Sequence, residues 1–500
     1  MSGVPRAFSG QGAVDVEAVA AALRPTFSVA SAAGQTVSRT WLDTFDWRLH
    51  SAGISLRFAD GGPLVMQLAD GSRLQAPLAG LRWPAHADDL PAGPIRDALA
   101  PLVAPRALLP VVTVRSVCQE LRVLDAEEKT VARLLTESLD DGTSQLHIQP
   151  LRGYDAEADR LAGLLARIDG FTAVTATPYD LALTRASRMP VKGARSSAKL
   201  RPQTPAAVAI AEMLTGFTAA IEDNVPGTVA SIDTEFLHEL RVAVRRTRSI
   251  LKLVGDVLPD GLAARFAPEF KWLGDLTTPV RDLDVYLLEF DAMAARVTSA
   301  DPHDLDPFRS FLVKHRAAER RRLVRGLRSR RFEQLISDWR TALGQAATDA
   351  DVGPTVAMLA RRRLTQAYRN AARRGKHIDE ASPSDDVHAL RKRCKELRYL
   401  LEVFRPVCDN TAHRALLKEL KSLQDILGDF QDGEVQREAV REFAAAMMRQ
   451  AAVPPKTLLA MGEMAAQLDG HQLNARAALA GRLQPFLADE NHARVKELVR

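Results

Sequence analysis

The chain has 500 residues, 46% of them hydrophobic and 26% charged, which is enough to bury more than one core, so two or three domains are expected. Its three cysteines, Cys118, Cys394 and Cys408, are too scattered for a zinc ribbon or a C-x-x-C redox site, which fits a reducing compartment. The net charge of +5 is mild but uneven: residues 1–190 hold 18 Lys and Arg against 21 Asp and Glu, leaving 49 against 41 for residues 191–500.

The first residues lack the charged start and apolar run of a secretory signal, and no stretch approaches the roughly 18 apolar residues of a membrane span. A cytoplasmic protein with no membrane partner is expected. Residues 15–24 and 155–168 carry Leu and Ala at three- and four-residue steps and predict helices. Between them TVSRTWLD, GISLRFAD, PLVMQLAD, VVTVRSVCQELRVLD and SQLHIQP read as strands punctuated by Gly, Pro and Asp-Gly turns. Residues 1–190 are therefore expected to be an α+β domain with antiparallel strands. Residues 191–203, rich in Pro, Ser, Gly and basic residues, are expected to be a linker. From 204 to 495 the pattern becomes long Leu, Ala and Arg segments of helical period, so this domain is expected to be all α.

The helical part repeats itself. HELRVAVRRTRSILKLV from His238 matches HALRKRCKELRYLLEVF from His388 at an offset of 150 residues. The same offset places WLGDLTTPVRDLDV from Trp272 on SLQDILGDFQDGEV from Ser422, so Asp275, Asp282 and Val285 fall on Asp425, Asp432 and Val435. Two segments sharing one offset indicate duplication of a whole bundle. On a helical wheel His238, Arg241, Arg245 and Arg248 fall within an arc of about 80°, beside an apolar stripe of Leu237, Leu240, Val244 and Leu251. His388, Arg391, Lys395 and Arg398 repeat that arc beside Leu390, Cys394, Leu397 and Leu401.

Like charges at helical spacing repel unless something negative faces them. Either acids of neighbouring helices (Asp275, Asp282, Asp284, Asp425, Asp432, Glu434) supply that charge, or an external anion does. Two copies of the stripe, with the further runs Arg320–Arg322, Arg328–Arg331 and Arg361–Arg363, favour an extended anion site.

The H-x-L-R-x-x-x-R-R-x-R helix, the R-D-x-D-V segment Arg281–Val285 and the H-x-L-R-K-x-x-K-x-L-R-Y helix His388–Tyr399 resemble the CHAD family, the conserved histidine α-helical domain. The resemblance implies two four-helix bundles related by a pseudo-twofold axis, whose basic faces bind inorganic polyphosphate and can bring the protein to polyphosphate granules. Carried onto this chain, it assigns polyphosphate contacts to His238, Arg241, Arg245, Arg246, Arg248 and Lys252, and to His388, Arg391, Lys392, Lys395, Arg398 and Lys421. Glu396, which takes the place of Arg246 in the second copy, is expected to weaken that copy's hold.

Residues 39–62, with Asp43, Thr44, Leu49, Gly53, Leu56 and Arg57 in register, are similar to the CYTH family, the triphosphate tunnel metalloenzymes. That resemblance implies an antiparallel β tunnel or barrel in which carboxylates hold divalent metal. The family's opening E-x-E-x-K strand is matched here by VPRAFSGQG, which has no carboxylate. Asp15 and Glu17 have the right spacing but start a helix. His147 and Gln149 stand where a late acidic pair is expected, and Gln67 replaces a basic residue. The tunnel is thus expected to be catalytically degenerate, with no catalytic residue, metal or cofactor, and with Arg39, Arg57 and Arg115 as candidate weak phosphate ligands.

The chain has no phosphate loop, dinucleotide fingerprint, H-E-x-x-H or G-x-S-x-G. With 5% aromatic residues it is poorly equipped for base stacking, which disfavours nucleic acid as the partner. The expectation is a non-enzymatic polyphosphate-binding protein. The alternatives are a metal-dependent triphosphatase using other acids, such as Glu127, Glu128 or Glu137, and a nucleic-acid-binding or structural protein.

Overall fold

A computed structural model describes residues 6–24, 26–78, 80–188, 200–348, 353–379, 381–450 and 452–499. The chain divides into two compact units, Met1–Lys192 and Gly193–Arg500. Of the expected linker 191–203, residues 191–199 lie outside the described residues; Leu200 is buried in the helical core.

The first unit contains β1 (Ala7–Gln11), α1 (Val16–Leu23), β2 (Ser28–Ser31), β3 (Gln35–Asp43), α2 (Arg48–Ser51), β4 (Ser55–Ala59), β5 (Leu64–Gln67) and β6 (Arg73–Ala76). It continues with α3 (Pro94–Val103), β7 (Leu109–Leu124), β8 (Thr130–Leu139), β9 (Thr143–Pro150), α4 (Asp155–Leu165), β10 (Phe171–Ala173) and α5 (Pro178–Arg185). Asp15 caps α1 by accepting from Ala18 N, as a helix start requires. Gly142, at φ 78°, supplies the left-handed turn that returns β8 into β9.

All ten strands form one antiparallel sheet in the order β10-β1-β9-β8-β7-β3-β4-β5-β6, with β2 added to β7. This is consistent with the CYTH-like resemblance. Alternation gives the sheet two faces. Leu121, Leu134 and Leu146 pack on α1 and α4, while Leu42, Leu56 and Met66 pack against Leu49 and α3. Each such fully buried side chain contributes about 1.5–3 kcal/mol. The opposite face carries polar groups, Arg39, Arg57 and Glu137 among them, and at one end an apolar cluster in which Trp41 packs with Tyr179 and Leu183 of α5.

The second unit is all helix among its described residues. Its first half holds α6 (Ala206–Ala230), α7 (Thr234–Val254), α8 (Leu262–Ala294), α9 (Asp306–Leu327) and α10 (Arg330–Thr348). Its second half holds α11 (Val356–Gly375), α12 (Ser384–Phe404), α13 (Asn410–Gln450), α14 (Pro455–Leu487) and α15 (Asp489–Glu497). Helices α6 and α11 start 150 residues apart, as do α7 and α12 and the 3-10 turns Gly255–Val257 and Arg405–Val407.

The repeat is a physical symmetry. Pro205 bridges Thr355, Ala206 N donates to Pro354 O at 2.9 Å, and Val356 N donates to Thr204 O at 2.9 Å. Farther along, Tyr286 Oη donates to the carbonyl of Gln436 at 3.4 Å. Residues that touch their own counterpart 150 positions away mark a pseudo-twofold axis between the halves. One apolar core runs through both halves, and a second, with Leu283, Phe290, Phe308, Val440 and Met461, joins the far ends of α8 and α13 to α9 and α14.

Candidate anion-binding site

Helix α7 is set by Asp233, whose carboxylate caps Glu235 N and Phe236 N, and by the buried row Phe236, Leu240, Val244, Leu251. Helix α12 buries Val387, Leu390, Cys394, Leu397 and Leu401 in the same way, and burial pushes the Cys394 thiol up to about 12. With those rows inward, both basic stripes border the surface. The two helices lie beside each other: Lys252 Nζ is 2.7 Å from Glu396, and Arg246 is 4.0 Å from Glu402.

Between them opens a cleft of 1010 Å³. It is lined by seven Lys and Arg (Arg245, Arg246, Arg391, Lys395, Arg398, Arg405, Arg414) against three acids (Glu239, Glu402, Asp425), with His238 at its wall. Burial lowers the Lys395 pKa, and so do Arg391 on its own helix and Arg245 on the other, with Asp432 opposing. The two stripes thus feel each other across the cleft. Burial also holds His238 below the usual histidine range, with Arg281 and Arg245 acting in the same sense.

Of the residues assigned from the sequence, His238, Arg245, Arg246, Arg391, Lys395 and Arg398 line this cleft. The others do not. Arg241 donates to Thr278 Oγ1 at 2.7 Å and Thr277 Oγ1 at 3.2 Å, with burial, Arg245, Arg281 and Arg248 lowering its pKa against the pull of Asp282. Arg248 is exposed and rests over Gly274. Lys252 is held by Glu396, His388 contacts Gln431, and Lys392 and Lys421 are exposed. Glu396, which stands where the first copy has Arg246, binds Lys252 and Arg393. Arg405 and Arg414 were missed because they lie outside the repeated stripe, on the 3-10 turn and on α13.

Internal acids answer part of the positive charge. Asp432 lies 3.3 Å from Arg391, Glu402 2.9 Å from Arg398, and Asp275 2.7 Å from Lys271; Asp284 is held by Arg316. Arg245 and Lys395 have no ion-pair partner among the described residues. The three basic runs are mostly structural. Arg320 donates to Val229 O, Arg331 pairs with Glu269 over the Trp272 ring, Arg361 donates to Val499 O, and Arg362 and Arg363 meet Asp256. Outward along α9 and its C-cap runs a strip of Lys314, Arg321, Arg325 and Arg328, all exposed and within an arc of about 60°.

In the first unit Arg39 and Arg57 share the polar face of the sheet, since Trp41, two residues from Arg39, pairs with Arg57. Arg115 pairs with Ser38 and so projects from the other face. Arg39 Nη1 donates to both oxygens of Glu137, at 2.9 and 3.1 Å. Burial drops the Arg57 pKa to about 10, helped by Arg39 and Arg73. Glu127 pairs with Lys129 near the β7–β8 turn, where Glu128 takes φ 58°, and neither stands on that face. Among the described residues, the one grouping of three side chains able to hold a metal is elsewhere, at Glu235, His238 and Glu239 on α7.

No helix among the described residues is long and apolar enough to cross a membrane. The chain is 27% identical over 219 residues to "Uncharacterized protein Rv2226" and to "Uncharacterized protein MT2285", both of Mycobacterium tuberculosis. Each match takes in 42% of this chain, and the chain spans only 40% of the length of those relatives. Among solved structures, the CHAD domain from the plant Ricinus communis aligns with 58% of this chain and 96% of its own, at 24% identity and a TM-score of 0.50. PptA from Streptomyces chartreusis aligns with 56% of this chain and 99% of its own, at 17% identity and a TM-score of 0.44. The model of the CHAD domain matches residues 212–441, and the helical unit of this chain therefore carries a CHAD domain.

Proposed function

We propose that this protein binds inorganic polyphosphate in the cleft between α7 and α12, and that such binding brings it to polyphosphate granules in the cell. The observation that carries the reading is the excess of seven cationic side chains over three acidic ones around a single cleft, with both repeats contributing. Guanidinium forks and a mobile ammonium suit a chain that offers phosphate oxygens at every unit and no bases to read.

The same reading makes the first unit non-enzymatic. On its polar face Glu137 is occupied by Arg39, and Glu120 lies 3.7 Å from Arg133. These acids are engaged with arginines, whereas a hydrolytic metal needs carboxylates free to hold it.

Titration of the full chain with long polyphosphate at two salt concentrations tests the proposal. Binding is expected to weaken steeply with salt, by analogy with counterion release on nucleic acids. R245Q/R391Q/K395Q/R398Q is expected to lose it while far-UV circular dichroism is unchanged. Undiminished binding by that variant, or release of phosphate from tripolyphosphate with Mg or Mn by the wild-type chain, contradicts the corresponding half of the reading.

A further inference from the structure

The two ion pairs that join α7 to α12 are images of each other. Position 246 corresponds to 396 and position 252 to 402 under the 150-residue repeat. The pseudo-twofold axis therefore carries the contact Arg246–Glu402 onto the contact Lys252–Glu396, and both are present. Midway between them, Ser249 and Tyr399 are again counterparts, and both line the cleft. The crossing of α7 and α12 is thus a self-complementary type of interface folded into one chain.

What breaks the symmetry is charge. The first copy supplies a cation at both positions, Arg246 and Lys252, and the second an acid at both, Glu396 and Glu402. Two copies of α7 brought together this way would set Arg246 against Lys252 twice. Two copies of α12 would set Glu396 against Glu402 twice. Only the mixed pairing puts opposite charges in contact at both points.

The side chains are placed for this role. Glu396 is 14% exposed; its burial works against ionisation, but hydrogen bonds from Lys252 and Arg393 outweigh it and hold the carboxyl below the usual range. Glu402 is shared between Arg246 of the first copy and Arg398 of its own helix. Repulsion against wrong partners is a recurrent source of specificity where the attraction of each exposed pair is small.

We infer that Arg246, Lys252, Glu396 and Glu402 form a charge-coded seam that makes each half of the duplicated unit complementary to the other half and not to itself. The seam fixes the twin basic stripes on one cleft. Arg246 and Lys252 are then positioning residues, and the inference stands whether or not the cleft takes polyphosphate.

Thermal melting of the full chain at low ionic strength tests it. R246E/K252E sets carboxylates opposite Glu402 and Glu396 and is expected to lower Tm by about 3–6 °C. E396R/E402K sets cations opposite Lys252 and Arg246 and is expected to lower it at least as far, since it also disturbs Arg393 and Arg398. The decisive comparison is the fourfold exchange R246E/K252E/E396R/E402K. There the two substitutions that destabilise the wild-type chain should raise Tm relative to E396R/E402K, a change of sign that opposite charge across the seam produces and independent sites do not. If R246E/K252E lowers Tm in both backgrounds, or alters it in neither, the seam is not charge-coded. Should a charge-reversed double fail to fold, R246Q/K252Q and E396Q/E402Q, alone and combined, read the same coupling. Combined loss smaller than the sum of the two supports the seam, and strict additivity overturns it.

Discussion

The polar face of the β-sheet and the cleft of the helical unit both gather arginines, but they treat them differently. On the sheet, Arg39 binds both oxygens of Glu137, so its charge is answered from within. Across the cleft, Arg245 and Lys395 act on each other and neither has an ion-pair partner among the described residues, although Asp432 opposes the lowering of the Lys395 pKa. Counting basic residues does not distinguish the two places. Whether a counter-charge is already bonded separates Arg39 from Arg245 and Lys395, because a buried cation with its own acid gains little from an outside anion, while like charges left facing each other gain much. Arg57, beside Arg39 on the sheet, is the exception there, with no ion pair among the described residues and with burial, Arg39 and Arg73 acting against its charge.

The largest effect is expected at the cleft. R245Q/R391Q/K395Q/R398Q is expected to weaken long-chain polyphosphate binding about 100-fold, since each lost cation releases one fewer counterion; anisotropy or calorimetric titration at fixed salt reads this. On the sheet the expected loss is stability instead. E137Q leaves the Arg39 guanidinium, 12% exposed, without its partner, and should cost about 3 kcal/mol in denaturant unfolding with no change in polyphosphate affinity.

Lys395 sharpens the cleft side through pH. Its pKa is lowered in the free protein by burial, Arg391 and Arg245, and a bound anion favours the ammonium, so binding takes up a proton at alkaline pH. Affinity should therefore fall severalfold as pH approaches the ordinary lysine pKa of about 10.4, and K395R should flatten that fall. The smallest effect is expected on α9. K314Q/R321Q/R325Q/R328Q removes the same formal charge as the cleft variant, yet should weaken binding only about threefold, because those side chains do not line the cleft between α7 and α12 and act through a screened field.

Much of the fold was legible because its causes are local or periodic. Asp15 announces a helix start, the Leu and Ala steps of residues 155–168 give α4, and alternation around Trp41 and Leu56 gives strands. The 150-residue offset revealed the pseudo-twofold, since a repeated helix face must be buried twice. Within the site, the stripe residues Arg245, Arg391, Lys395 and Arg398 followed from wheel positions, but a wheel does not tell which side of the stripe opens into a cleft. Arg241 and Arg248 share the arc and turn instead toward Thr277, Thr278 and Gly274 on α8. Arg405 and Arg414 enter from elements with no repeated basic pattern. The exchange of Arg246 and Lys252 for Glu396 and Glu402 was visible in the alignment, but its meaning needed the crossing of α7 over α12.

Diffraction from crystals of the full chain grown with a short polyphosphate would locate the bound anion. A chain of phosphate density is expected between α7 and α12, in contact with Arg245 of one repeat and Lys395 of the other. Density seated only on α9 or on the polar face of the sheet, with that cleft holding solvent alone, contradicts that expectation.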